Sequence, residues 1–175
     1  AVPARADLKI AIIAPDGREA MLVHAEQLQA AGVPFMFDPG QQLPVFDGSE
    51  LRRFVERARW VALNDYEAKM LTERIGTDLA ALSRIAGVEG LFVTLGPDGC
   101  DIWQQGVARR VAGMPAQEVV DPTGCGDAFR AGLLYGLERG WPLARAATLG
   151  NRLGALKIAH RGGQNHRFEP ADMLK

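Results

Sequence analysis

Four short apolar runs, at residues 8–14, 33–37, 60–63 and 91–95, are separated by stretches with helical spacing. Runs of this length without polar alternation are what strands buried on both faces require. The first stops at Pro15-Asp16-Gly17, the second at Asp38-Pro39-Gly40, and the fourth just before Gly96. Between the first two runs Met21, Leu22, Ala25, Leu28 and Ala31 recur at helical spacing, and Gly32 supplies a stop. Leu51, Phe54, Val55 and Ala58 make a second stripe, and residues 65–73 and 78–85 read as two further helices. Buried strands joined by crossovers of this kind call for a parallel sheet. The expected fold is therefore α/β, a doubly wound and mainly parallel sheet with helices on both faces.

The rhythm changes after Gly99. Residues 100–104 and 107–111 flank Gln105-Gly106 and predict a hairpin, hence an antiparallel edge. Residues 118–120 read as a short extended stretch, and 126–139 and 142–160 return to helical spacing, with Pro142 suited to a first turn. At 175 residues, 47% of them hydrophobic, the chain fits one ordinary core, so a single α/β domain over 1–175 is expected. The chain opens on Ala1-Val2-Pro3 and enters its first strand almost at once, which reads as a piece of a longer protein.

Twenty Lys plus Arg against twenty-one Asp plus Glu leave a net charge of -1, which removes the electrostatic case for a nucleic-acid or membrane-surface partner. No apolar run approaches the roughly 18 residues of a membrane span. Two cysteines and no signal-like leader predict a cytoplasmic protein, and a small-molecule ligand is favoured.

In open α/β sheets ligands collect beyond the carboxyl ends of the strands. The strongest candidate there is Asp121-Pro122-Thr123-Gly124-Cys125-Gly126-Asp127, which opens a helix. Its two glycines clear side chains from the turn, so the N–H groups of Gly124, Cys125, Gly126 and Asp127 can converge on an anion at the positive end of the helix dipole. A carboxylate beside such an anion hole suits phosphoryl transfer, with Asp127 taking the proton of an attacking hydroxyl. A tight bend with an acidic first turn explains the same residues structurally. No Gly-Lys-Ser/Thr makes a Walker A loop, and Phe129 stands where a dinucleotide fingerprint needs its third glycine.

The segment from Asp121 to Asp127, continued by Ala128-Phe129 and Ala131-Gly132, resembles the second signature of the ribokinase-like (PfkB) carbohydrate kinases. Asn64-Asp65-Tyr66-Glu67 resembles the family's Asn-x-x-Glu motif, and Thr94-Leu95-Gly96-Pro97-Asp98-Gly99 its Thr-x-Gly-x-x-Gly nucleotide loop, in the same order. Asn151 and Arg161-Gly162-Gly163-Gln164 are similar to its C-terminal part. The resemblance covers nearly the whole chain but only the later half to two thirds of a typical member, without its early Gly-Gly signature or its small lid.

The resemblance implies an ATP-dependent phosphotransferase with Asp127 as general base and Gly124, Cys125 and Gly126 as anion hole. It makes Asn64 and Glu67 organisers of Mg²⁺ and phosphate, although a capping box explains that pair equally well. Thr94, Gly96, Gly99 and Asn151 become nucleotide neighbours. Asp121 and Thr123 become ligands of a monovalent cation such as K⁺, beside a Gly-rich loop at 160–165, although caps or turn hydrogen bonds explain the same residues equally well. Cys125 stands in for the family's commoner alanine, a small residue for a small one. A helix start lowers a thiol's pKa, but a nucleophile would need a partnered base, and no His is near in sequence to supply it. His24, His160 and His166 lack metal-ligand spacing; Arg152, Lys157, Arg161 and Arg167 could favour ATP phosphates, although a solvated face is the ordinary role for most of them. The acceptor is the primary hydroxyl of a sugar or nucleoside, and Phe37-Asp38-Pro39-Gly40 with the other motifs looks closest to bacterial adenosine or nucleoside kinases. A homodimer is admitted, since some members pair through the lid. The alternative is a nucleotide-binding module without turnover, for want of the acceptor half.

Overall fold

The computed structural model describes residues 7–169 and residue 171. The Ala1-Val2-Pro3 opening lies outside the described residues. The chain gathers into two compact units: Ala1–Thr94 with Asp101–Arg109, and Leu95–Cys100 with Arg110–Lys175.

The first unit carries the sheet. Its elements are β1 (Ala11–Ile13), α1 (Arg18–Ala30), β2 (Phe35–Phe37), α2 (Gly48–Arg57), β3 (Trp60–Asn64), α3 (Asp65–Ile75), the single turn α4 (Leu79–Leu82) and β4 (Gly90–Thr94). A hairpin of β5 (Cys100–Gln104) and β6 (Val107–Val111) follows. The strand order is β1-β2-β3-β4-β5-β6, with β1 to β4 parallel and in register as Ile13↔Phe37↔Val61↔Leu91. Gln105 and Gly106 both have positive φ, 51° and 83°, as a two-residue turn matched to strand twist requires. The sheet is therefore mixed and mainly parallel with an antiparallel edge, the fold class the alternation predicts.

The apolar run at 8–14 narrows to three paired residues because its partner is short. Pro34 cannot donate to a ladder and Pro39 closes the other end, so β2 offers only Phe35–Phe37. The helix expected over 78–85 is α-helical only at Leu79–Leu82. It then tightens into i→i+3 bonds from Arg84 to Ala81 and from Ile85 to Leu82. The core joins sheet to helices through aromatic rings: Phe37 stacks on Phe54 at 4.4 Å, and Phe46 meets Phe54 edge-on at 5.1 Å.

The second unit is built on α5 (Cys125–Glu138) and α6 (Leu143–Ile158). Ala128, Leu149 and Leu153 are buried, and Tyr135 and Trp141 pack against them with ring centroids 5.6 Å apart. The stretch 118–120 forms no strand. Having no partner strand, it is tied to the end of α6, where the Val120 and Asp121 N–H groups both donate to the Ile158 carbonyl at 2.8 and 3.0 Å.

Candidate active site

The carboxyl edge of the sheet holds the first group of candidates. Asn64 and Thr94 are register partners at the ends of β3 and β4, and the Thr94 hydroxyl donates to the Leu63 carbonyl at 3.3 Å. Beyond β2 lies Asp38, only 4% exposed, whose N–H donates to the Ile13 carbonyl. Asn64 caps α3: its Oδ1 accepts from the Glu67 N–H at 2.7 Å, and Glu67 Oε2 accepts from the Asn64 N–H at 2.8 Å. This reciprocal box aims the Glu67 carboxylate at the helix start. An amide oxygen and a carboxylate are hard donors of the kind that fit Mg²⁺ carried in by phosphate, which takes few protein ligands. The box also makes Asn64→Ala costly whatever its chemical role. It should lose about 1 kcal/mol of stability in chemical denaturation, whereas Asn64→Asp should retain most of it.

The second unit holds the rest. Asp121, Thr123, Gly124, Cys125, Gly126 and Asp127 form one continuous turn into α5, with Gly124 at the N-cap in the left-handed region, φ 81°. The Cys125 N–H is drawn back to the Pro122 carbonyl at 3.1 Å, and the first helical bond runs from the Ala128 N–H to the Gly124 carbonyl. The N–H groups of Gly124, Gly126 and Asp127 find no acceptor among the described residues. Asp127 is exposed in the first turn. One turn on, Arg130 folds back so that its Nη1 donates to the Gly126 carbonyl at 3.2 Å.

This turn is laced to the end of α6. Asp121 Oδ1 accepts from the Thr123 N–H at 2.9 Å, and its Oδ2 from the Gly162 N–H at 2.8 Å. The Asp121 carbonyl accepts from Lys157 Nζ at 2.7 Å, and the same ammonium reaches the His160 carbonyl at 2.9 Å. A Cβ on Gly124 would stand 2.9 Å from Gly163 Cα. Lys157 thus has a different place from the one expected of it. It has no exposed surface, because Gly150, Leu153 and Lys157 share the buried face of α6. That spacing was the available signal: a lysine where an apolar stripe continues.

The Thr123 and Gly162 N–H bonds, with the Lys157 charge nearby, lower the Asp121 pKa from 3.8 to about 2. A carboxyl held low in the folded state adds stability that is present above its unfolded value and lost as the acid form returns. The stability advantage of wild type over Asp121→Asn should therefore hold at neutral pH and close as pH falls from 3.8 towards about 2, read by denaturation at stepped pH. Cys125 lies in the same turn. Burial raises its thiol pKa, the Asp121 charge adds to this, and Lys157 opposes it only in part, so no ready thiolate forms.

Gly99 and Asn151 meet a common stretch of chain, and the Gly96 carbonyl accepts from the Gly99 N–H at 3.2 Å. The Asn151 amide, on α6, donates to the Val111 and Ala112 carbonyls at 3.4 and 2.9 Å. Gly99, φ 97°, packs so closely on the same residues that a Cβ there would lie 2.2 Å from the Val111 carbonyl oxygen. The Asn151 NH₂ is thus committed to the backbone of this loop. Among the described residues no group of three or more His, Cys, Asp or Glu gathers to hold a metal, and no helix is long and apolar enough to cross a membrane.

An Asn-x-x-Glu cap at the end of β3, a Gly-rich loop after β4 and an amide turn carrying an acid are the motifs on which the family resemblance rests. Residues 6–170 match the pfkB family of carbohydrate kinases, and the chain belongs to that family. A nucleoside kinase of Methanocaldococcus jannaschii is 27% identical over 130 residues, covering 74% of this chain and 42% of the relative. The structure of Burkholderia thailandensis nucleoside kinase in complex with inosine is 46% identical, with a TM-score of 0.92 over 97% of this chain and 56% of that one. The complex of that kinase with ADP-inosine matches with the same TM-score of 0.92, over 97% of this chain and 52% of that one. The chain thus spans about half the length of the relatives it matches.

Proposed function

We propose that this chain is the nucleotide-binding and catalytic part of an ATP-dependent nucleoside kinase, a single domain that forms the C-terminal part of a longer protein. The observation that carries the reading is the turn at 124–127, where three N–H groups that find no acceptor among the described residues stand at a helix start beside the exposed Asp127. Asp127 accepts the proton of a primary hydroxyl. The freed oxygen bonds to the γ-phosphorus of ATP, the bond from that phosphorus to the bridging oxygen breaks, and ADP leaves. The Gly124 and Gly126 amides carry the charge on the phosphoryl oxygens as it moves.

Asn64 and Glu67 would hold Mg²⁺, which would supply charge neutralisation to the phosphates. Thr94, Gly96 and Gly99 border the nucleotide, and Asn151 supports that loop through the 111–112 backbone. The nucleoside acceptor is favoured over a free sugar because the 46% identical relative was solved with inosine and with ADP-inosine. Adenosine and inosine are the first acceptors to try. Calorimetry should detect ATP binding to this chain, and an ADP-release assay should find nucleosides preferred over sugars. Binding without acceptor-dependent release would identify a module that holds nucleotide and leaves transfer to the complete protein. Absence of ATP binding would reject the assignment.

A further inference from the structure

Lys157 is fully enclosed in the second unit, and enclosing an ammonium is costly unless acceptors meet it. Here they are two main-chain carbonyls on different segments: Asp121, at the start of the turn before α5, and His160, just past the end of α6. Apart from the ammonium, the one partner of the Asp121 carbonyl among the described residues is the Cys125 thiol, a weak one at 3.9 Å. A leucine would fill the α6 stripe as well, so packing does not account for the lysine. Its charge sets the direction of the Asp121–Pro122 peptide. From that peptide the turn is built: the Pro122 carbonyl takes the Cys125 N–H, and Gly124 closes on Gly163.

We infer that Lys157 is a positioning residue whose ammonium serves as a built-in monovalent cation. It clamps the Asp121 and His160 carbonyls together and so aims the uncommitted N–H groups of Gly124, Gly126 and Asp127. It supplies by a covalent tether the charge that the motif resemblance assigns to K⁺ at this turn, and the protein needs no added monovalent ion there. What those N–H groups bind rests on the kinase reading; the clamp itself does not.

The test compares wild type, Lys157→Ala and Lys157→Met in sodium, potassium, ammonium and methylammonium chloride at constant ionic strength, by ADP calorimetry and by melting temperature. Wild type should bind ADP within about twofold in all four salts. Lys157→Ala should bind ADP ~10-fold more weakly in sodium and regain affinity and melting temperature with ammonium or methylammonium, which fit the space vacated. Lys157→Met, which fills that space without charge, should be impaired in every salt. In turnover by the complete enzyme, Lys157→Ala should lower kcat more than it raises KM for the acceptor.

A wild-type affinity or melting temperature that rises with potassium over sodium overturns the inference, as does a Lys157→Ala protein equal to wild type. So does a loss that both variants share and no cation relieves, since that is packing alone. Should Lys157→Ala not fold, the wild-type salt series and Lys157→Met still decide, because a Met variant that matches wild type removes the need for charge. A wild type that binds no nucleotide in any salt rejects the kinase reading, while the melting temperatures continue to report on the clamp.

Discussion

Asp127→Asn is expected to lower turnover of the complete enzyme by ~10³-fold while leaving ATP affinity unchanged or slightly tighter. The substitution keeps the size and hydrogen-bonding reach of the side chain and removes the basic oxygen that takes the hydroxyl proton. ATP binding does not depend on that oxygen. An exposed carboxylate in the first turn of α5, beside three uncommitted N–H groups, repels a polyphosphate, so its neutralisation cannot weaken binding by charge. Steady-state kinetics with parallel calorimetry separate the two effects. Near-normal turnover, or affinity and turnover falling together, would remove Asp127 from the role of base.

Gly124→Ala should come next in size, with turnover lower by ~10² or more and the second unit destabilised by about 2 kcal/mol. Two causes act at once. The residue sits at φ 81°, where a Cβ is strained, and that Cβ would lie 2.9 Å from Gly163 Cα. The neighbour has little freedom to give way, because the adjacent Gly162 is pinned by its N–H bond to Asp121 Oδ2. The turn must therefore open, and the amides lose their common aim. Denaturation of the variant alongside its kinetics checks both. Gly163→Ala is a useful control, since a Cβ at Gly163 meets nothing within 4 Å and should be mild.

The parts of the site that were legible in sequence are those built from neighbours along the chain. The Asn64–Glu67 capping box is a three-residue relation, and the structure shows both of its bonds. The Gln105-Gly106 hairpin is likewise set by its turn, and its two strands have the expected bounds. At Cys125 a helix start by itself would lower the thiol pKa, and only the structure shows that burial of the sulfur raises it instead. Lys157 reads with the other late basic residues as facing phosphate or, more ordinarily, solvent. Its burial depends on where residues 121 and 160 come to lie, 36 positions back along the chain in the first case. Asn151 is the same kind of case, its amide held by carbonyls 39 and 40 positions away.

What the amino-acid order determined on its own was the succession of buried strands and helices, the hairpin edge, and the turn chemistry at 121–127. Each of these follows from spacing, from glycine and proline, and from side chains a few residues apart. Only the tertiary structure decided which strand ends stand side by side, as Asn64 and Thr94 do. It alone decided which amides keep their donors free, and that a lysine would be buried as the clamp on the turn. Those outcomes depend on acceptors and neighbours brought in from distant segments, and desolvation makes each such partner matter far more than it would in water.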